Sequence, residues 1–385
     1  MAILLWGVPT GDDFTWDMTY KFKTEECTLD ATGATTAFAT YSHPTREIKF
    51  ALGATRDEAY DRLSAFLRAG ADFVTVPLWF LRTSLMDAAY AGSQEFLVSD
   101  TSELFPGDQA LLMKANQPAT AELITISAIA GSTVYTTTPI TNYYSPTFFD
   151  LMSVYNTSFA YFIPVLTGIL DYEGLDFIDG LPGVALKAKV DGGAWSNYSI
   201  PALPTFNDVA MDAKYNSPKM TRDLLGVDNG VLVLYPYGTS SKLTFECTWN
   251  FKDSNWKTLR DLFFAAHGKA EVFNISTFMY EVRTTRGADQ GSTTIFLNAS
   301  YQYLYKRFPF LKVYSRRTGD QFIVHVTDYV MGEQFTCDAL PHEVYDGDLV
   351  CFYPSVRFNT DELTFSFKGV NMCTVKATFV EEWQD

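Results

Sequence analysis

Residues 57–70 read DEAYDRLSAFLRAG, residues 253–268 read DSNWKTLRDLFFAAHG, and both stretches carry one pattern. In register, Tyr60 answers Trp256, Leu63 answers Leu259, Phe66 answers Leu262 and Leu67 answers Phe263. An opening Asp, apolar residues at three-and-four spacing and a closing Gly predict an amphipathic helix in each place. The flanks repeat too. REIKFAL (46–52) and KLTFECT (242–248) precede the two helices, and GSQEFLV (92–98) and GSTTIFL (291–297) follow them. Further upstream, Met18 and Lys21 fall against Met211 and Lys214. A unit of this length is no solenoid repeat of ~20–50 residues. It is a duplicated domain, which invites symmetric or pseudo-symmetric assembly.

Around the two helices the chain reads as strands. TFECTW (244–249) and TFSFKG (364–369) alternate with period two, and 121–140 reads as a hairpin turning at Ala130-Gly131. Turn signals are dense, at Pro106-Gly107-Asp108, Asp191-Gly192-Gly193, Asp228-Asn229-Gly230 and Asp346-Gly347-Asp348. The expected class is mainly β with few helices (α+β). The first module should cover 1–91, with a small β domain at 92–160 and a return strand and Gly/Pro-rich junction at 161–206. The second module should cover 207–290, with its own small β domain at 291–360 and closing strands at 361–385. Leu63, Phe66, Leu67, Leu259, Leu262 and Phe263 are the expected core residues seating the helices on their sheets. Each should contribute about 1.5–3 kcal/mol on burial.

Composition narrows the function classes. Hydrophobic residues make up 47% and charged residues 19%, so the chain is globular rather than disordered. Its 31 Phe and 22 Tyr suit strands, and also subunit contacts. A net charge of −16 with no basic stripe beyond KRFPFLK (306–312) argues against a phosphate-backbone reader. Five cysteines without a C-x-x-C pair, and an N-terminus without a basic n-region, point to reduced thiols in a protein made in the cytosol. YFIPVLTGIL (161–170) is too short and too broken to span a bilayer.

No catalytic signature stands out. His43, His267, His325 and His342 lack metal-ligand spacing, so neither a metal nor another cofactor is expected. Asp171, Glu173, Asp176 and Asp179 lack the calcium-loop spacing and read as a solvated acidic loop. There is no nucleophile elbow, P-loop or dinucleotide fingerprint. The aromatic clusters Tyr143-Tyr144, Phe148-Phe149 and Tyr301–Tyr305 suit strand cores and subunit contacts, with sugar or base stacking as the sharper alternative.

The order of these features resembles the distal-tail and tail-tip (baseplate) proteins of long-tailed bacteriophages. SHPTREIKFAL (42–52), the helix ending DRLSAFLRAG and FVTVPLW (73–79) with Pro77 and Trp79 carry the likeness in the first half. VDNG (227–230), KLTFECTWNF (242–251) and the helix with Trp256 and Leu259 carry it in the second. The likeness spans about Phe14 to Trp383. It departs at KTEECTLDATGATTAF (23–38), where that family often has an arginine-rich arm. The resemblance implies two tandem tail-tube-like modules, each a β-sandwich plus one helix with a small β-barrel-like domain. It implies a non-enzymatic virion protein, made in the bacterial cytoplasm, forming a ring or hub at the end of the tail tube around a DNA channel. Expected partners are further copies, the tail tube protein and other tail-tip proteins, without specific nucleic-acid binding. A trimer with pseudo-six-fold symmetry is favoured over a hexamer. The acidic balance fits a lumen that repels DNA. Rival readings are a receptor- or glycan-binding tail module and a tail-associated cell-wall hydrolase.

Overall fold

The strand Thr244–Lys252 buries Phe245, Cys247, Trp249 and Phe251 and turns Thr244, Glu246, Thr248 and Asn250 away from the core. The strands Glu362–Lys368 and Met372–Glu381 alternate in the same way, because successive side chains in a strand point to opposite faces. The computed structural model describes residues 2–3, 15–28, 35–55, 73–114, 117–146, 160–177, 183–215, 222–226, 232–236, 242–252, 254–297, 305–368 and 372–382. The protein is mainly β, with a large antiparallel sheet, a second six-stranded sheet curled into a half-barrel, and two separate hairpins.

Among the described residues there is one α-helix, Trp256–Ala265, which buries Trp256, Leu259, Leu262, Phe263 and Phe264 against the large sheet. Past its end, Gly268 adopts φ 67 and donates its N–H to the Phe263 carbonyl at 3.2 Å. A Cβ there would lie 2.8 Å from Asp361 Oδ1, so the closing Gly is needed for both conformation and space. The predicted first helix, with Leu63, Phe66 and Leu67, lies outside the described residues, as do Phe148, Phe149, Asp179, VDNG and Tyr301 through Leu304.

Strand pairing repeats between the halves. In the first, Thr45–Thr55 pairs with Gly183–Ala194, which pairs with the long strand Ala160–Phe177. In the second, Thr244–Lys252 pairs with Met372–Glu381, which pairs with Ser355–Phe358 and Glu362–Lys368. The small β regions match in their bridges, bulge and turn glycines. The bridges Leu85↔Val98 and Ala89↔Tyr144 recur as Thr284↔Leu297 and Ala288↔Val344. The bulge between Ile126 and Ala128 recurs between Val326 and Asp328. Turn glycines Gly92 and Gly131, at φ 92 and 60, recur as Gly291 and Gly332, at φ 83 and 74. Each half also inserts a hairpin after its first strand, Thr24–Thr28 with Thr35–Ala39 and Arg222–Gly226 with Leu232–Pro236.

Three sequence expectations change. The Gly/Pro-rich stretch from 174 onwards is largely strand, and the link between halves is the irregular segment 195–211. Close approach accounts for Gly192 in this stretch and for Gly168 on the strand beside it: a Cβ on Gly192 would fall 2.2 Å from Leu166 Cδ1, and one on Gly168 2.0 Å from the Asp191 carbonyl oxygen. Asp171, Glu173 and Asp176 sit on the strand Ala160–Phe177 instead of in a loop. The upstream alignment also shifts. The bond Leu78 N–H to Pro164 O matches Thr277 N–H to Phe352 O. From there Leu170↔Val190, Val190↔Ile48 and Ile48↔Met18 match Phe358↔Phe379, Phe379↔Phe245 and Phe245↔Tyr215. Met18 therefore corresponds to Tyr215, and Asp17 to Lys214. The displacement is an even number of residues, which leaves the two-residue alternation unchanged and so is invisible to pattern matching.

Candidate functional site

The two halves meet strand to strand. Thr15–Lys21, the first strand of the first half, lies antiparallel to Glu362–Lys368 from the second, from Thr15↔Lys368 to Lys21↔Glu362. This makes one sheet running Asp212–Tyr215, Thr244–Lys252, Met372–Glu381, Glu362–Lys368, Thr15–Lys21, Thr45–Thr55, Gly183–Ala194 and Ala160–Phe177.

One face of this sheet is mostly polar, interrupted by the exposed Ile169 and Met372. Thr19 and Thr364 share a hydrogen bond of 2.9 Å across the seam, and Thr374 donates to Asn250 at 2.9 Å. Glu47 is gripped by Lys21 and Lys189, each at 2.8 Å, and Glu246 by Lys214 at 3.1 Å and Lys376 at 2.8 Å. Lys21 also reaches Glu362 at 3.4 Å, and Lys49 reaches Glu173 at 3.3 Å. Burial alone would raise the Glu47 carboxyl, but hydrogen bonds from Lys189 and Lys21 outweigh it and hold the group below the usual carboxylate range. The chain's negative charge is thus not gathered on this face. Lysines and carboxylates alternate there and neutralise one another.

The other face is aromatic, and the helix Trp256–Ala265 sits directly over the seam. Trp256 meets Phe365 and Phe367 at 5.3 and 5.2 Å, while Phe264 meets Tyr20 at 4.9 Å and Phe263 meets Phe22 at 5.6 Å. One helix thus covers strands of both halves. Leu259, Leu262 and Phe263 are each at most 1% exposed, as expected of core residues.

The helix also anchors the first small β region, through a pair the sequence pattern did not reveal. Arg260 donates from Nη1 to both oxygens of Glu103 at 2.7 Å, with both residues buried. Burial would lower the Arg260 guanidinium, but Glu103 and its other acidic neighbours outweigh this and keep it firmly protonated. Lys257 adds contacts to Glu103 at 3.4 Å and Asp100 at 3.5 Å. From the link, Tyr198 donates to Asp261 at 2.6 Å, and Trp195 Nε1 donates to Asp108 at 2.9 Å. A charged residue on an otherwise amphipathic helix reads from sequence as solvent-facing; only its tertiary partner marks it as buried.

The structure gathers no catalytic constellation among its described residues. His43 shares a hydrogen bond with Ser42, His325 lies 3.4 Å from Asp338 and against Phe310, and His342 packs on Phe322. No three His, Cys, Asp or Glu side chains converge as metal ligands among the described residues. Cys247, Cys337, Cys351 and Cys373 are buried, and burial raises their thiol pKa values, to about 11 for Cys337 and about 12 for Cys351. Asp348 is a turn residue, accepting the Tyr345 and Arg316 amides at 2.8 and 2.9 Å. No helix among the described residues is long and apolar enough to cross a membrane. Tyr144 is fully buried and donates to Glu122, whereas Tyr143 is half exposed and meets exposed Tyr90 at 5.3 Å with the rings tilted by 46°. No protein-family model matches the chain, and no curated protein matches it.

Proposed function

We propose that the protein is a structural subunit of a long-tailed bacteriophage tail tip, two tandem tail-tube-like modules in one chain, forming a ring or hub at the distal end of the tube. The observation that carries this reading is the seam Thr15–Lys21 with Glu362–Lys368, which fuses two matching halves into one sheet whose polar face runs across the join. Such a face suits the wall of a channel. Thr and Ser hydroxyls and mutually neutralised Lys–Glu pairs offer a polyanion no fixed positive stripe to bind. DNA would slide along it because the wall is charge-balanced, not because it is acidic.

Three chains of two modules each give six equivalent positions toward a six-fold tube and true three-fold symmetry toward the tip. The reading assigns the chain no catalysis and no cofactor, and places it in the virion after synthesis in the bacterial cytoplasm. Its partners are further copies, the tube protein and neighbouring tip proteins. Light scattering on the purified protein tests it. A native mass of three chains is expected, six chains would shift the assignment to a simple distal ring, and a single chain at every concentration would contradict self-assembly.

One observation favours a receptor-binding role alongside this. The first small β region exposes the neighbouring rings of Tyr90 and Tyr143, where the second carries Asp289 and Glu343 at the matching positions. Glycan-array binding abolished by Tyr90→Ala would support that role, and an empty array would remove it.

A further inference from the structure

The seam has a counterpart that the single chain leaves unmade. Thr15–Lys21 carries Thr45–Thr55 on one side and Glu362–Lys368 on the other. Its equivalent, Asp212–Tyr215, carries Thr244–Lys252 on one side, and its other edge is unpaired among the described residues. Glu362–Lys368 in turn corresponds to the end of the strand Ala160–Phe177. There Leu170 to Phe177 pair with Gly183–Ala194 on one side, and their other edge is likewise unpaired among the described residues. The two halves of a joint thus lie at opposite ends of one sheet. Open strand edges recruit further strands.

We infer that Asp212–Tyr215 of one copy adds antiparallel to residues 170–177 of the next copy, repeating between chains the seam made within each. The inference rests on the ring reading above and names the surfaces that close the ring. The internal seam fixes the register. Met18↔Phe365, Asp17↔Ser366 and Trp16↔Phe367 translate into Tyr215↔Leu175, Lys214↔Asp176 and Ala213↔Phe177. The alternation carries over, with Tyr215 and Ala213 matching the core-facing Met18 and Trp16 and with Lys214 matching the polar-face Asp17. In addition, the register sets a lysine opposite an aspartate at the central position, where opposite charges across an antiparallel pair are favourable. Lys214 remains 61% exposed at its side chain while bonded to Glu246, which leaves it free to meet a second carboxylate. The contact is head-to-tail, and such contacts generate closed rings when the rotation closes.

Lys214→Glu places like charges across the contact. It should lower assembly affinity at least tenfold by light scattering, well beyond Lys214→Gln, which loses the same Glu246 contact within the chain without setting like charges across the joint. Adding Asp176→Lys in the same chain should restore assembly. A second arm uses Lys214→Cys with Asp176→Cys in a Cys27→Ser background. These positions lie at opposite ends of an eight-strand order with steps of ~4.8 Å, so mild oxidation can join them only between chains. A covalent ladder from the double variant, absent from each single variant, is expected. If the ring forms but Lys214→Glu leaves it intact and no ladder appears, this contact is overturned and the ring reading stands. If the native protein never assembles and no ladder forms, both fall.

Discussion

Arg260 and Glu103 show what one buried contact does in this molecule. Their bidentate pair ties the first small β region to a helix that belongs, by sequence, to the other half. Removing the Glu103 charge leaves buried Arg260 with Asp261 as its remaining carboxylate partner, so Glu103→Gln should cost about 3 kcal/mol in chemical denaturation. The double variant Arg260→Met with Glu103→Leu should recover most of that loss. A cost under about 1 kcal/mol for the single variant would mean the pair is solvated. Lys312 offers a second test. It is 1% exposed, donates to Asn207 Oδ1 at 2.7 Å, and burial lowers its pKa to about 8. The unfolded chain holds that proton to about pH 10.4, so between these values the unfolded state binds more protons and this residue's contribution to stability rises with pH. The buried thiols act oppositely, because the folded state keeps their protons longer. The discriminating measurement is therefore the difference between wild type and Lys312→Met. Urea midpoints from about pH 8 to pH 10 should show wild type gaining on the variant, and parallel profiles would refute the assignment.

At the scale of elements, the helix Trp256–Ala265 matters because of where it lies. It covers Tyr20 and Phe22 of the first half and Phe358, Phe365 and Phe367 of the second. Phe263→Ala should cost about 3–5 kcal/mol. It should also lower the stability of both halves in a single transition, read by hydrogen exchange at Thr15–Lys21 and at Glu362–Lys368 together. Loss confined to one strand would show that the helix does not bind the halves to each other. Leu259, Leu262 and Phe263 were legible in the sequence because helical periodicity marks a buried stripe without knowledge of what covers it. The alternating strands and the hairpin turning at Gly131 were legible for the same local reason. Partnership was not. Period two repeats every other residue, so Met18 matched Met211 as well as it matched Tyr215, and only the chain of hydrogen-bonded pairs separates the two. Gly and Pro around 174–206 read as a junction because close backbone approach and a flexible link leave the same composition.

At the scale of the whole molecule, the duplication noticed in two helical stretches becomes a physical statement. Matching halves are joined by a seam that could be repeated indefinitely, and one chain makes it only once. The candidate site was thus half legible: the repeat stood in the sequence, but the seam is a contact between residues such as Thr19 and Thr364, 345 positions apart. The expectation of an acidic lumen came from a whole-chain charge of −16, which says nothing about distribution. On the polar face, Glu47 and Glu246 each sit between two lysines instead. The central claim is that equivalent halves alternate around a closed ring. End-on class averages of the purified assembly by electron microscopy test it most directly. Three-fold rings with six lobes around an open channel are predicted, and an assembly without a central opening, or a chain that stays single at every concentration, would contradict it.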